Sequence, residues 1–349
     1  MAYRIALIGC GTVGQGFLEI LNEKEKFLKK NYDFEAKIVG ICDKLKGSII
    51  EPEGIDLDKL LDILKRGERI ENYRKEEAGK IEAEYFIDNV EADIMVEVTY
   101  TNLQTGEPAT AYIKKAIQKG CHVVTSNKGP VALHYHELKK LAEKNNVYFK
   151  FEGTVMSGSP IFNLVESSFK GNEILEIRGI LNGTTNFILT KMEEGLEYEQ
   201  ALKLAQELGY AEADPTADVE GYDAVAKIVI LSNVLFDGKI KPQEVEREGI
   251  TGISKEDVLN AKEMGYRYKL IASAKKENGE IIASVKPERI PLTEPLANIT
   301  DIINALCFKL DLLGEVIIQG PGAGRKETGY AILSDILNIH FNILKEERR

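Results

Sequence analysis

Residues 212–231 read EADPTADVEGYDAVAKIVIL. Glu212, Asp214, Asp218 and Glu220 crowd ahead of Gly221, Asp223 and Lys227 stand four positions apart, and Lys227 runs straight into the aliphatic stretch IVIL. At about 100° per residue, Asp223 and Lys227 share a helical face with Ile230, Leu231 and Val234, while Val219, Tyr222, Val225 and Val229 cover much of the rest. An Asp–Lys pair at this spacing ordinarily sits on a wet face and contributes a few tenths of a kcal/mol. Here the pattern makes the face dry. Loss of hydration lowers a lysine pKa toward the range useful for acid–base work, and a neighbouring carboxylate raises it again, so the two effects oppose each other. An ammonium held this way can give its proton to a developing alkoxide, and carboxylates beside it can hold an amino group. That is the chemistry of reducing the aldehyde of an amino acid. A buried structural ion pair is the competing reading.

A reduction needs a hydride source, and IGCGTVGQG supplies the place for one. Gly9, Gly11 and Gly14 have the GxGxxG spacing between a strand pattern and a helix pattern. There the glycines permit the turn, close approach of the backbone to a pyrophosphate, and helix packing. The helix N-terminus offers N–H groups and positive dipole at Thr12 and Val13. Asp43 ends the second strand, where an acid bonds the ribose hydroxyls of NAD and repels the extra phosphate of NADP. Lys44 and Lys46 pull the other way, so NAD and NADP both stand, with NAD(H) expected to serve at least as well. Lys128, in SNKGP, follows another strand and precedes a helix, at the edge where such folds bind ligands; it suits a substrate carboxylate or is an ordinary loop lysine. Thr99 shares that edge. In FEGTVMSGSP, Glu152 and exposed carbonyls suit a hard cation, or the stretch is a plain strand-to-helix loop.

These residues need a scaffold. Up to about residue 150, β-rich runs alternate with helical patterns, the signature of βαβ units and a doubly wound parallel sheet. Residues 44–90 break the rhythm and read as an insertion, with a helix at 56–66 followed by a charged stretch. Residues 151–320 change to helices and then antiparallel strands, YRYKLIASAKK turning at ENGE into IIASVKP and INALCFKL turning at DLLG into EVIIQG. An amphipathic helix over 324–343, within a final segment 321–349, is expected to return to the first domain. The expected fold is α/β, a Rossmann-type sheet followed by an α+β domain.

The 349 residues are 44% hydrophobic, enough for two cores, and the net charge of −11 argues against nucleic acid and anionic membranes as partners. No apolar run reaches the roughly 18 residues of a membrane span. Cys10, Cys42, Cys121 and Cys307 lie far apart with no CxxC spacing, which disfavours a zinc site or disulfide framework and suits a reducing cytoplasm. The four histidines show no nucleophile or metal spacing, which disfavours a His-dependent 2-hydroxy acid dehydrogenase.

Taken together, GCGTVGQG, TNLQTGEPA, SNKGP, EGTVMSGSPI, LNGTTNFIL, GYAEADPTADVEGYDAVAK and GPGAG resemble homoserine dehydrogenase, in that family's order and over nearly the whole chain. The resemblance implies NAD(P)-dependent reduction of L-aspartate 4-semialdehyde to L-homoserine, on the way to threonine, methionine and isoleucine, by a dimer formed through the second domain. It implies Lys227 as proton donor, Glu212 and Asp223 as substrate ligands supported by Asp218, and Lys128 and Thr99 along the cofactor and substrate cleft. It further implies a monovalent-cation site for Na⁺ or K⁺ at Glu152, Val155, Ser157 and Ser159, built largely from carbonyls, and a second glycine turn at Gly322 and Gly324 near the nicotinamide. Tyr100 stands where the family often has Pro or Ser. The kinase half and regulatory domain that some relatives carry are not expected here. The rival readings are another amino-acid-linked dehydrogenase on this architecture and a catalytically dead dinucleotide sensor.

Overall fold

Each β-branched run of the first part becomes a strand, and each amphipathic stretch becomes a helix laid on the sheet. The computed structural model describes residues 2–74 and 81–347. Two compact units divide it: Met1–Asn163 with Gly324–Arg349, and Leu164–Ala323. The division thus falls 13 residues beyond the expected 150, and places the EGTVMSGS turn in the first unit.

The first unit runs β1 (Ala2–Ile8), α1 (Thr12–Tyr32), β2 (Glu35–Asp43), β3 (Gly47–Ile50), α2 (Leu57–Lys65), α3 (Ala83–Asn89), β4 (Ile94–Glu97), α4 (Ala109–Gln118), β5 (His122–Thr125), α5 (Lys128–Lys144) and β6 (Phe149–Lys150). The sheet order is β3-β2-β1-β4-β5-β6, parallel except for β3, which pairs antiparallel with β2. Helices cover both faces, so Ile5–Ile8 and all of β4 are buried, as a parallel sheet requires. Leu7, Phe17 and Leu21 pack in one cluster; Ile8, Phe86 and Ile113 pack in another.

Residues 44–90, the segment read as an insertion, add elements to the first unit. β3 lengthens the sheet at its edge, and Phe86 and Ile87 of α3 are fully buried in the second cluster. GSII is too short for a strand period to show, and its partner is set by the turn after Asp43 rather than by its own pattern. The helix expected at 56–66 is α2, capped by Asp56, whose side chain accepts from Lys59 N. The charged stretch after it falls largely on 75–80, and the end of the charged tail on 348–349, outside the described residues.

α6 (Phe162–Ser168) straddles the division. The second unit continues with β7 (Ile174–Ile180), α7 (Gly183–Glu193), α8 (Tyr198–Glu207), α9 (Thr216–Val219), α10 (Tyr222–Leu235), β8 (Glu246–Arg247), α11 (Lys255–Glu263), β9 (Tyr266–Glu277), β10 (Glu280–Pro291), β11 (Ile303–Leu310) and β12 (Gly314–Pro321). Its sheet order is β12-β11-β7-β9-β10-β8, antiparallel except that β8 runs parallel to β10. Asn278 and Gly279, both with positive φ, close the β9–β10 hairpin, since only such residues match a two-residue turn to the strand twist. Helices followed by strands is the expected order, but β7 precedes the helices and lies inside the sheet. α12 (Arg325–Glu347) belongs to the first unit, where Ile332, Ile336 and Ile339 share a cluster with Phe17 of α1.

Candidate active site

In the first unit, the glycine turn after β1 divides its labour. Gly9 has φ 98°, and a Cβ there would lie 2.5 Å from the Val98 carbonyl oxygen; one at Gly14 would lie 2.7 Å from that of Gly9. Around Gly11 an added Cβ would meet nothing within 4 Å. Gly11 is also the N-cap of α1, with no side-chain cap and no acid in the first turn, so the helix N-terminus at Thr12 and Val13 is left for an anion. A cleft of about 570 Å³ opens there, lined by Gly9, Gly11, Asp43, Lys44, Thr99 and Tyr100 among others.

Asp43 lines this cleft but is engaged by the backbone. Its Oδ2 accepts from Cys10 N at 2.7 Å, and its Oδ1 from Leu45 N at 2.9 Å and Lys46 N at 2.8 Å. The carboxylate therefore ties the glycine turn to the turn after β2. Sequence reasoning missed a second such organiser, Glu97, fully buried at the end of β4. Its Oε1 accepts from Thr99 N (2.9 Å) and Thr99 Oγ1 (2.5 Å), and its Oε2 from Thr125 Oγ1 (2.9 Å). Burial pushes its carboxyl up, and these donors pull it back. Asn127 completes the edge, donating to Tyr100 O at 3.1 Å and accepting from Gly129 N at 3.2 Å. α5 consequently starts at Lys128.

At the Glu152 turn the side chain is engaged by the backbone. The side-chain carboxylate caps α6, accepting from Ile161 N (2.6 Å), Phe162 N (2.9 Å) and Asn163 N (2.7 Å), while Glu152 N donates to Asp335 Oδ2 at 2.8 Å. Burial, then the charge of Glu152, raises the Asp335 carboxyl; burial also raises Glu152, against the pull of its three N–H donors. Val155, Ser157 and Ser159 are buried in this turn, where Met156 and Ser157 adopt positive φ and Ser157 Oγ lies 2.7 Å from Thr328 Oγ1. Among the described residues no cluster of three or more His, Cys, Asp or Glu suits a metal ion. A cation here would rest on main-chain carbonyls.

In the second unit, α10 is buried from Ala224 to Asn233, which brings Lys227 to 7% exposure. Lys227 Nζ lies 2.7 Å from Asp223 Oδ2 and donates to Leu181 O at 2.6 Å. Asn182 joins the carboxylates: its Nδ2 donates to Asp218 Oδ1 at 2.6 Å and Asp223 Oδ2 at 3.0 Å. Its Oδ1 caps α7, accepting from Thr185 N at 2.9 Å and Thr185 Oγ1 at 3.0 Å. Burial and then the Asp223 charge raise the Asp218 carboxyl. The structure thus gathers Asp218, Asp223 and Lys227 around an asparagine whose role the sequence reading did not assign. The signal was present, since Asn before GTTN is a strong N-cap. Glu212 is exposed, ahead of α9. Gly322 lies over Asn304 in this unit, whereas Gly324, with φ 150°, belongs to the first unit.

A parallel sheet whose first turn leaves an uncapped helix end beside a cleft, with a separate unit that buries a lysine against a carboxylate, defines the class of nicotinamide-dinucleotide-dependent oxidoreductases. Residues 9–152 match the family model described as homoserine dehydrogenase, NAD binding domain, and residues 160–337 the model described as homoserine dehydrogenase. The chain belongs to the homoserine dehydrogenase family. It is 43% identical to the NAD(+)-dependent homoserine dehydrogenase of Pseudomonas canavaninivorans over 99% of this chain and 98% of that one. It is 45% identical to the homoserine dehydrogenase of Methanocaldococcus jannaschii over 96% and 98%. A solved hyperthermophilic archaeal homoserine dehydrogenase in complex with NADPH superposes with a TM-score of 0.84 at 32% identity, covering 98% of each chain. Among the described residues, no helix is long and apolar enough to cross a membrane.

Proposed function

We propose that this chain interconverts L-aspartate 4-semialdehyde and L-homoserine with NAD(H) or NADP(H), in the biosynthesis of threonine, methionine and isoleucine. The observation that carries the reading is Lys227, buried with one proton toward Asp223 and one toward the Leu181 carbonyl. An ammonium has three donors, so one is left for the substrate oxygen. The bound dinucleotide supplies the hydride for the aldehyde carbon. Lys227 protonates the oxygen as negative charge develops there, and in the reverse direction accepts the hydroxyl proton. Asp223, with Glu212, holds the substrate ammonium; Asp218 supports Asp223 through Asn182. Lys128 is assigned to an anionic group of the ligands and Thr99 to the dinucleotide, with Gly9, Gly11, Thr12, Val13 and Gly14 taking the pyrophosphate and Gly322 and Gly324 the nicotinamide end.

The same reading assigns Na⁺ or K⁺ to the carbonyls of Glu152, Val155, Ser157 and Ser159. It predicts a melting temperature that rises with either ion at constant ionic strength, because a ligand of the folded state stabilises it by mass action. Indifference to their replacement by a bulky organic cation leaves that turn a loop. It also assigns a homodimer through the second unit, supported by Ile282, 51% exposed on the face of β10 opposite Val285, and a cytoplasmic location, supported by four free cysteines. The deciding assay is homoserine oxidation followed at the reduced nicotinamide with each dinucleotide in turn. Turnover establishes the activity. Its absence with both favours the sensor, and preference for another amino alcohol favours the related dehydrogenase.

A further inference from the structure

Asn304, on β11, is fully buried, and neither its Nδ2 nor its Oδ1 has a hydrogen-bond partner. Buried amides with both ends unpaired are rare, because such a group has given up water for nothing. Its neighbours explain why no side chain answers it. A Cβ on Gly322 would lie 2.3 Å from Asn304 Nδ2 and 2.4 Å from its Cγ and Oδ1, so this glycine rests directly on the carboxamide. A Cβ on Gly183 would lie 3.5 Å from Asn304 Oδ1 and 2.7 Å from the Ile302 carbonyl oxygen. The carboxamide therefore sits between the turn that carries Gly322 and the first residue of α7. Directly before Gly183 comes Asn182, whose amide holds Asp218 and Asp223, and Asp223 holds Lys227. One turn further along α7, Asn186 Nδ2 donates to Ile303 O at 3.0 Å, fixing the backbone next to Asn304.

We propose that Asn304 is a positioning residue for the reduction, its carboxamide keying the Gly322 turn to the Asn182–Gly183 junction and gaining its hydrogen-bond partners when dinucleotide and substrate bind. The inference rests on the homoserine dehydrogenase reading above. Gly322 is then glycine because a protein amide lies against it, and not only to let a ligand approach. Asn304 touches no reacting atom; it acts by holding two backbone segments in register, and small displacements of such segments are costly to a hydride transfer that depends on alignment.

The test uses the full chain, with wild-type turnover of homoserine as the check on the underlying reading. Asn304→Leu keeps the volume and removes both polar ends. It is expected to melt at or above the wild-type temperature, since an unpaired buried group is lost. Its kcat should fall about 10- to 100-fold, a loss typical of misplacement rather than of a missing catalytic group, with a changed primary isotope effect on homoserine deuterated at the carbinol carbon. Gly322→Ala pushes a methyl into the amide from a partly exposed turn, and serves if Asn304→Leu does not fold. It should show the same fall in kcat, and the double variant should be no slower than the slower single variant, because both break one contact. A kcat within twofold of wild type in either folded variant overturns the proposal, as does additive loss in the double variant. Wild type without homoserine turnover defeats the earlier reading instead.

Discussion

Two buried lysines lie in the second unit, and only one is assigned to catalysis. Lys269 on β9 is 2% exposed and donates to Asn186 Oδ1 at 2.9 Å and Ile299 O at 2.5 Å; Lys227 on α10 is 7% exposed and meets Asp223 and Leu181 O. Each donates to one main-chain carbonyl. They differ in the second partner, a neutral amide for Lys269 and a carboxylate for Lys227. Without a carboxylate in direct contact, burial at Lys269 outweighs the opposing charges of Glu193 and Asp301, and its pKa is pushed down to about 8. Burial alone therefore does not make a lysine a proton donor. Lys227 has beside it a network of carboxylates joined by Asn182, whereas Lys269 closes hydrogen bonds between α7, β9 and the loop before β11.

The largest effect should separate the two. Lys227→Ala is expected to lower kcat by about 10² to 10⁴-fold, with dinucleotide affinity measured by fluorescence titration unchanged. A kcat near wild type would remove Lys227 from the proton-donor role. Asp223→Asn comes next, raising KM for homoserine about tenfold, because an amide holds an ammonium less well than a carboxylate does. An unchanged KM would detach Asp223 from the substrate.

Lys269→Met should invert the pattern: kcat within about twofold, and stability lower by about 1–3 kcal/mol at neutral pH as Asn186 Oδ1 and Ile299 O lose their donor. Linkage adds a signature. With a folded pKa near 8 against 10.5 for the free side chain, the unfolded chain holds a proton that the folded chain has released between those values. Wild-type stability thus gains as pH rises through that window, and Lys269→Met lacks the gain. Parallel denaturation curves for the two proteins from pH 7 to 10 would contradict this account.

Much of this was legible in the residues and part was not, for a physical reason. The glycine turn, the α10 helix with its dry Asp–Lys face, and the alternation of the first sheet are local patterns, and local patterns survive in sequence. β7 was missed because its partners, β9 and β11, lie some ninety residues or more downstream, so nothing nearby announces a strand. Glu97 was missed because EVT reads as the end of an ordinary strand; what makes it an organiser is Thr125, brought beside it by the parallel register. Glu152 was read from its type, an oxygen donor in a glycine-rich turn, while the fold uses that carboxylate on the N–H groups of α6.

Asp43 carries the same lesson to the first unit, and the smallest of the expected effects. Its position predicts that Asp43→Ala shifts preference toward NADP(H), because a carboxylate beside a 2′-phosphate costs roughly 1 kcal/mol at 4 Å even in bulk water. Its three backbone donors, Cys10 N, Leu45 N and Lys46 N, add a consequence that the charge alone does not contain. Removing the carboxylate frees the glycine turn, the proposed pyrophosphate site for either dinucleotide, from the turn after β2. KM for NAD and for NADP should therefore both rise severalfold, with the NAD:NADP ratio moving toward NADP by less than about tenfold, the factor that corresponds to roughly 1.4 kcal/mol. Asp43→Asn separates the contributions, since its amide oxygen retains part of the clamp without the charge, so the ratio should move while the common rise shrinks. If Asp43→Ala alters only the ratio and leaves KM for NAD at its wild-type value, Asp43 reads the ribose and does not hold the turn.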